Sequence, residues 1–366
     1  MDSWIWSMVS MVFYIISLIF VPILIIGAFL RRRRRHGREL DESNWYLQLS
    51  LSPKDAMSQW FLILGGLALA NMIYAINNNF GSPLSWRLVL LAAILIFGAL
   101  AYWGKSVYAA AIGVIGFLVW WAAQTAFWQP PEGIYVWGLA VPIGLMWLAI
   151  LLYVAGFWQM GKSAWKRFGV AWVSIGLILV NFLLFVFSTR SGLLVLEEMI
   201  GGDRIFDAWQ NVISLFVIAV MVAMALLYGC FKKIVLVEEA TFAGILFFIF
   251  GLLAALPDQS LFESKRQLTA LGLFWAAVLN FALLFEILGV IFAGYLRREI
   301  WMINFGTLLL LIFTAVKYFD WFFKFMDKSV FFIVAGIMLF AIGWGMERGR
   351  RYLTRSINSQ INQSNQ

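Results

Sequence analysis

The sequence predicts an all-α fold, a polytopic α-helical integral membrane protein of about 11 transmembrane helices, with its N-terminus outside and its C-terminus cytoplasmic. Three observations predict it. Of 366 residues, 63% are hydrophobic and only 13% charged, about half the charged share of a soluble domain. The 19 tryptophans and 34 phenylalanines exceed what one water-soluble core takes, since such cores stop growing near ~300 residues. Lys and Arg are also divided unequally between alternate loops. Composition therefore excludes a soluble globular enzyme, a disordered chain and a secreted disulfide scaffold. Cys230 is the one cysteine and His36 the one histidine. The first allows no intrachain disulfide, and together they are too few for a Cys/His zinc site. No metal and no cofactor is expected.

A bilayer core of ~30 Å takes ~20 apolar residues at ~1.5 Å each. The stretches that meet this length or approach it are Trp4–Leu30, Trp60–Ile76, Leu88–Trp103, Val107–Trp128, Ile134–Trp158, Phe168–Phe187, Val212–Phe231, Ala240–Leu256, Leu268–Leu296, Ile300–Lys317 and Val330–Met346. The first is too long for a signal peptide, opens with Asp2 rather than a basic segment, and is followed by no small-residue cleavage site. It reads as an anchor stopped by Arg31–Arg35. Residues 31–59 form a basic cytoplasmic linker. Within it Trp45–Leu51 alternates with period two, as an extended or interfacial segment does. Ser52-Pro53-Lys54-Asp55 reads as an N-cap serine with proline at the first helical position, opening the second span. Ser82-Pro83 reads the same way for the third. Residues 60–352 make a ten-helix membrane domain, and 353–366 a polar, disordered tail. Trp60, Trp86, Trp103, Trp128, Trp158, Trp165, Trp301 and Trp321 fall at span ends, as an aromatic belt requires.

With Arg31–Arg35 inside, alternation assigns every later loop a side. Nineteen of the 27 Lys and Arg then lie inside and eight outside. The outside set is Arg87, Arg190, Arg204, Lys265, Arg266, Lys317, Lys324 and Lys328. The net charge of +8, which in a soluble protein hints at nucleic acid, is thus a topology signal, and no nucleic-acid partner is expected. The expected surroundings are the lipid bilayer of the cell (inner) membrane. Arg31, Arg32, Arg33, Arg34 and Arg35 would contact anionic lipids at the cytoplasmic face, at about 1 kcal/mol each. The longest external loop, about residues 188–211, has room for one surface helix and not a domain.

An ionisable group at the bilayer centre costs ~2.5 kcal/mol or more and is a functional candidate by default. Glu286 is the clear case, ~15 Å from the inner end of its span. It could bind a cation, relay protons or orient a substrate. The commoner reading of such a residue is a protonated acid hydrogen-bonded to a neighbouring helix. Lys317 is no convincing partner, because its ammonium can snorkel outward. A second cluster, Lys317, Tyr318 and Asp320, ends the tenth span, with Asn280 at a similar depth. Lys317 and Asp320 touch if the helix continues. The cluster could bind a headgroup or an anion. The reading favoured here is an interfacial anchor with a weak ion pair. Asn71, Asn181 and Asn304 complete the intramembrane polar set and read as helix–helix glue. Gly289-x-x-x-Ala293, Gly251-x-x-x-Ala255 and Ala341-x-x-x-Gly345 are small-residue packing faces. Leu179-Val180-Asn181-Phe182 is echoed by Val278-Leu279-Asn280-Phe281 on a span of opposite direction, as an inverted repeat would require. No P-loop, nucleophile elbow, zincin motif or aspartate-rich pair is present.

The C-terminal third carries a pattern: Arg297-Arg298-Glu299-Ile300, Asn304-Phe305-Gly306, Lys317-Tyr318-Phe319-Asp320, Ser329, Gly336, Gly343, Glu347 and Arg348-Gly349-Arg350-Arg351. It resembles the closing segment of bacterial multi-pass membrane proteins of the domain-of-unknown-function 2157 group. That resemblance implies a multi-pass architecture and no particular reaction. Three function classes follow from the sequence. The leading one is a non-enzymatic membrane protein, transporter- or permease-like, in which Glu286 acts. The others are a membrane-embedded enzyme acting on a lipid-linked substrate through Lys317 and Asp320, and a scaffold that packs against a membrane-protein partner.

Overall fold

A computed structural model describes residues 56–128, 138–162, 165–202, 208–254, 260–264 and 267–322, with isolated helical positions between 336 and 348. The first predicted span, the Arg31–Arg35 run, the Trp45–Leu51 and Ser52–Asp55 segments and the tail lie outside the described residues, and of the last predicted span only isolated positions are described, all helical. In hydrocarbon no water meets a peptide N–H or C=O, so each segment must satisfy its own backbone. The described chain accordingly forms ten helices: α1 Ala56–Asn79, α2 Trp86–Gly104, α3 Val107–Phe127, α4 Ala140–Met160, α5 Lys166–Phe187, α6 Arg190–Gly202, α7 Trp209–Phe231, α8 Val237–Leu253, α9 Ala270–Arg297 and α10 Ile300–Phe322. Eight of them are long and apolar enough to cross a membrane. Helix α8, at 17 residues, extends about 25 Å and falls short of a ~30 Å core. Helix α6 is the surface helix that the 188–211 loop was expected to hold. The all-α expectation missed one feature, a small antiparallel pair β1 (Phe262–Ser264) and β2 (Gln267–Leu268) before α9.

The chain divides into two compact units, Met1–Gly176 with Phe206–Ala225, and Leu177–Ile205 with Leu226–Gln366. In the first unit α1 and α2 are joined by a turn that Asn77 stitches. Its amide oxygen accepts from the Leu84 N–H at 2.8 Å, and its nitrogen donates to the Leu84 carbonyl at 2.9 Å. Ser82 is a left-handed turn residue (φ 57°), so it does not cap α2 as the sequence predicts. Ser85, in extended conformation, holds that position. The α2–α3 connection is only Lys105 and Ser106. Lys105 is left-handed (φ 52°), and the Ser106 hydroxyl accepts from the Ala109 N–H at 3.2 Å, capping α3. Helix α4 begins at Ala140, later than the predicted Ile134. Pro142 therefore sits in its first turn, where its missing N–H costs nothing.

Packing within the first unit exploits glycine. A side chain on Gly144 of α4 would collide with the Trp121 indole of α3. The α4–α5 crossing rests on Gly156 and Gly169, each of which brings its backbone against the other's carbonyl oxygen. At the same end of these helices Tyr102, Trp165 and Phe168 form a ring cluster with centroids 5.2–5.6 Å apart. At the opposite end Arg87 donates to Gln124 at 3.2 Å and lies over the Phe127 ring. These contacts join helix ends that alternation puts on one side. The outward Trp60, Trp86, Trp103 and Trp158 are exposed, as belt residues must be.

In the second unit α9 has two faces. Phe274, Phe281, Phe285, Leu288 and Phe292 are exposed, while Trp275, Leu279, Ala282, Glu286, Val290 and Ala293 are buried. The α9–α10 hairpin turns at left-handed Arg298 (φ 57°). It closes through Gly294 against Met302 and Ile303, and through Gly306 against Ile287 and Ile291. Helix α10 runs through Phe322, so Lys317 and Asp320 do lie on one continuous helix. The side chains of residues 318–322 lie outside the described residues.

Gly169→Leu should therefore destabilise the protein by about 1–3 kcal/mol or more through overpacking at the α4–α5 crossing. Gly289→Ala, whose added methyl meets open space, should be neutral or slightly stabilising. Thermal unfolding of both variants in detergent checks the contrast.

Candidate functional site

The second unit carries its polar groups at three depths. At one end helix α5 terminates, leaving backbone carbonyls without helical partners. The Ser188 carbonyl is met twice. Lys317 Nζ donates to it at 2.8 Å and Asn280 Nδ2 at 3.1 Å. Asn280 also donates to the Ala276 carbonyl at 2.7 Å on its own helix. A cation at a helix C-terminus is favoured by the dipole as well as by the hydrogen bond. Lys317 is only 8% exposed. This corrects the expectation that its ammonium snorkels outward: a bare helix end lies closer than bulk water does. The structure thus brings together Lys317 and Asn280, as the sequence predicts, but around a backbone oxygen of α5 that residue identity did not reveal. Tyr318 and Asp320 share the α10 helix, and their side chains are not described.

The same end is latched by Glu197 of the amphipathic α6, which buries Leu193, Leu196 and Ile200. The Glu197 carboxylate accepts from the Ser260 hydroxyl at 2.8 Å and from the Phe262 N–H at 3.2 Å. It so ties α6 to the strand pair. Thr269 caps α9 by accepting from the Gly272 N–H at 3.0 Å.

At the other end Arg297 Nε donates to Glu239 Oε1 at 2.6 Å. Its Nη2 pairs with Glu239 Oε2 and also donates to the Ile234 carbonyl at 3.0 Å. Glu239 is in the first turn of α8 and accepts from the Leu236 N–H at 3.2 Å, satisfying one orphan donor there. The bidentate guanidinium–carboxylate geometry ties the start of α8 and the chain beyond α7 to the end of α9. Sequence reasoning missed this pair. Its one legible signal was the alternation that put both loops on the same side.

Between the two ends lies Glu286, 6% exposed on the inward face of α9. It is eleven residues from Arg297, about 16 Å along the helix. The pair 286 and 297 share a helix face, and Arg297 meets Glu239, so that face is turned towards α8. Among the described residues no hydrogen bond to the Glu286 carboxyl is found. On α5, Asn181 is 4% exposed and donates Nδ2 to the Leu177 carbonyl at 2.9 Å within its own helix. It is thus not the interhelical glue of the sequence reading. Its Oδ1 is buried without a partner. Asn71 leaves its Nδ2 unpartnered on α1, and Asn304 is exposed on α10. Among the described residues no cluster of three or more His, Cys, Asp or Glu gathers. The described residues do not include Arg31–Arg35.

Comparison with protein-family models, with curated proteins and with solved structures gives no match for the chain. What the structure itself defines, among the described residues, is a helical chain with eight apolar helices of membrane-crossing length.

Lys317→Met should leave the Ser188 carbonyl short of its cationic donor and cost about 1–3 kcal/mol. Arg297→Ala strands a nearly buried carboxylate and should cost more, about 3–5 kcal/mol. Chemical unfolding in detergent, followed by tryptophan fluorescence, reads both.

Proposed function

We propose that this is a multi-pass protein of the cell (inner) membrane, transporter- or permease-like, in which Glu286 is the group that carries a proton through the middle of the membrane domain. The observation that carries the reading is the placement of Glu286. It lies mid-span on the buried face of α9, opposite the phenylalanines of the exposed face. Ionisable side chains held at such depth, turned from lipid, are the common currency of proton relays. The second class, an enzyme using Lys317 on a lipid-linked substrate, is disfavoured by the bond that commits the Lys317 ammonium to the Ser188 carbonyl. The charge distribution supports an N-terminus outside and a C-terminus in the cytoplasm, with Arg31–Arg35 against anionic headgroups. The resemblance to the 2157 group accords with this architecture.

Proteoliposomes loaded with a pH-sensitive dye and given an imposed membrane potential test the reading. Wild-type protein should admit protons faster than empty vesicles, and Glu286→Gln should reduce that rate at least tenfold. A variant that conducts as the wild type does, or a wild type no faster than empty vesicles, would sink it.

A further inference from the structure

We infer that the end of the first unit formed by the α2–α3 and α4–α5 turns is a surface that takes the phosphate of anionic phospholipid headgroups, through Lys105, Lys162 and Arg167. The inference goes beyond the reading of Glu286 and stands whether or not Glu286 carries a proton. Two turns far apart in sequence are fastened there into one surface. Tyr102, near the end of α2, has its ring 5.3 Å from that of Trp165 and 5.6 Å from that of Phe168, both at the start of α5. The buried Gln159, near the end of α4, donates Nε2 to the Tyr102 hydroxyl at 3.5 Å. Phe168 is buried in one cluster with Phe97, Ala101, Ala109 and Ala110 of the α2–α3 hairpin. These contacts carry the basic residues with them. Lys105 is the left-handed residue of the α2–α3 turn, three beyond Tyr102. Lys162 follows Gln159 by three, and Arg167 directly precedes Phe168. All three basic residues are exposed, as is Lys166.

Charge balance is the second observation. The described residues of the first unit hold the basic side chains Arg87, Lys105, Lys162, Lys166 and Arg167, and among them there is no aspartate or glutamate. All but Arg87 stand at this one end. In the second unit Arg297 finds Glu239. Here the Lys162 ammonium lies instead over the Trp158 ring, 4.0 Å from its centroid. Helix stability does not account for the charges either. Lys166 and Arg167 stand in the first turn of α5, which carries no acidic residue, and a helix dipole disfavours cations at that end. A positive surface that its own unit leaves unbalanced is completed by an anion from outside. The third observation is depth. Trp103 and Trp158 are exposed at this same end, and such rings sit at the level of lipid headgroups. The cations beside them therefore stand where lipid phosphates are, within reach of flexible basic stems. A guanidinium takes two phosphate oxygens as a fork, and ammonium groups add point charges around it.

Spin-labelled lipids test the surface on the full chain in phosphatidylcholine vesicles. The background carries R31Q, R32Q, R33Q, R34Q and R35Q, so that the basic run contributes nothing. Spin-labelled phosphatidylglycerol should be immobilised at the protein several-fold more strongly than spin-labelled phosphatidylcholine, and added salt should weaken that preference. K105Q, K162Q and R167Q should each lower it in steps, and together bring it to within about twofold of none. K105R with K162R should retain it. Arg87→Gln, at the opposite end of the same unit, should leave it intact. An undiminished preference in the triple variant overturns the inference, as does an equal loss in Arg87→Gln. Thermal unfolding in detergent should not change in the three single variants, whose side chains are exposed, so a loss of preference in them reads the surface and not the fold. Glycerol phosphate, the headgroup without its chains, should fail to displace the labelled lipid. Displacement by it would make a soluble phosphate ester the ligand and overturn the lipid. Glu286→Gln should move none of these readouts, which keeps the result separate from that of the proton flux.

Discussion

Where a helix stops inside or beside a bilayer, its last carbonyls lose their partners and no water is at hand to replace them. Much of the second unit is organised around that shortage. The end of α5 is met by an ammonium from α10 and an amide from α9, both on the Ser188 oxygen. The chain beyond α7 is met by the Arg297 guanidinium from α9, on the Ile234 oxygen. In each case a basic side chain that could have reached water turns inward to a backbone acceptor. Helix α9 takes part at both ends, and its inward face is thereby held in register along its length. The position of Glu286 follows from those two fastenings.

Much of the fold was legible because it answers to composition. Apolar runs of about 20 residues admit one secondary structure in hydrocarbon, and the described helices fall where those runs lie. The misplacements were local. Ser82-Pro83 has the composition of a helix start, but a left-handed φ at Ser82 makes it part of the turn. The start of α4 lies later than the apolar run, because hydropathy does not distinguish a helix from the chain that leads into it. The strand pair escaped because two or three residues per strand carry too little alternation to be seen.

The site was legible only by half. Glu286, Asn280 and Lys317 stood out because polar side chains are rare in such sequence. Their partners did not. Ser188 acts through its backbone, so its identity says nothing of its role. Arg297 and Glu239 are 58 residues apart, and Lys317 and Ser188 129 apart, and no local period links them. Asn181 was visible as a polar residue, but its unspent oxygen depends on a bond made within its own helix.

Among the described residues two links of two residues, Lys105-Ser106 and Arg298-Glu299, each join a pair of helices of membrane-crossing length, and they bear on how the protein is made. A link of two residues leaves no length of chain to be left behind on one face while its neighbour waits. Helices α2 and α3, and likewise α9 and α10, must enter the bilayer as closed hairpins, each committing two spans in one event. An error of orientation would then invert both members together. Each hairpin carries a basic residue at its apex, Lys105 or Arg298.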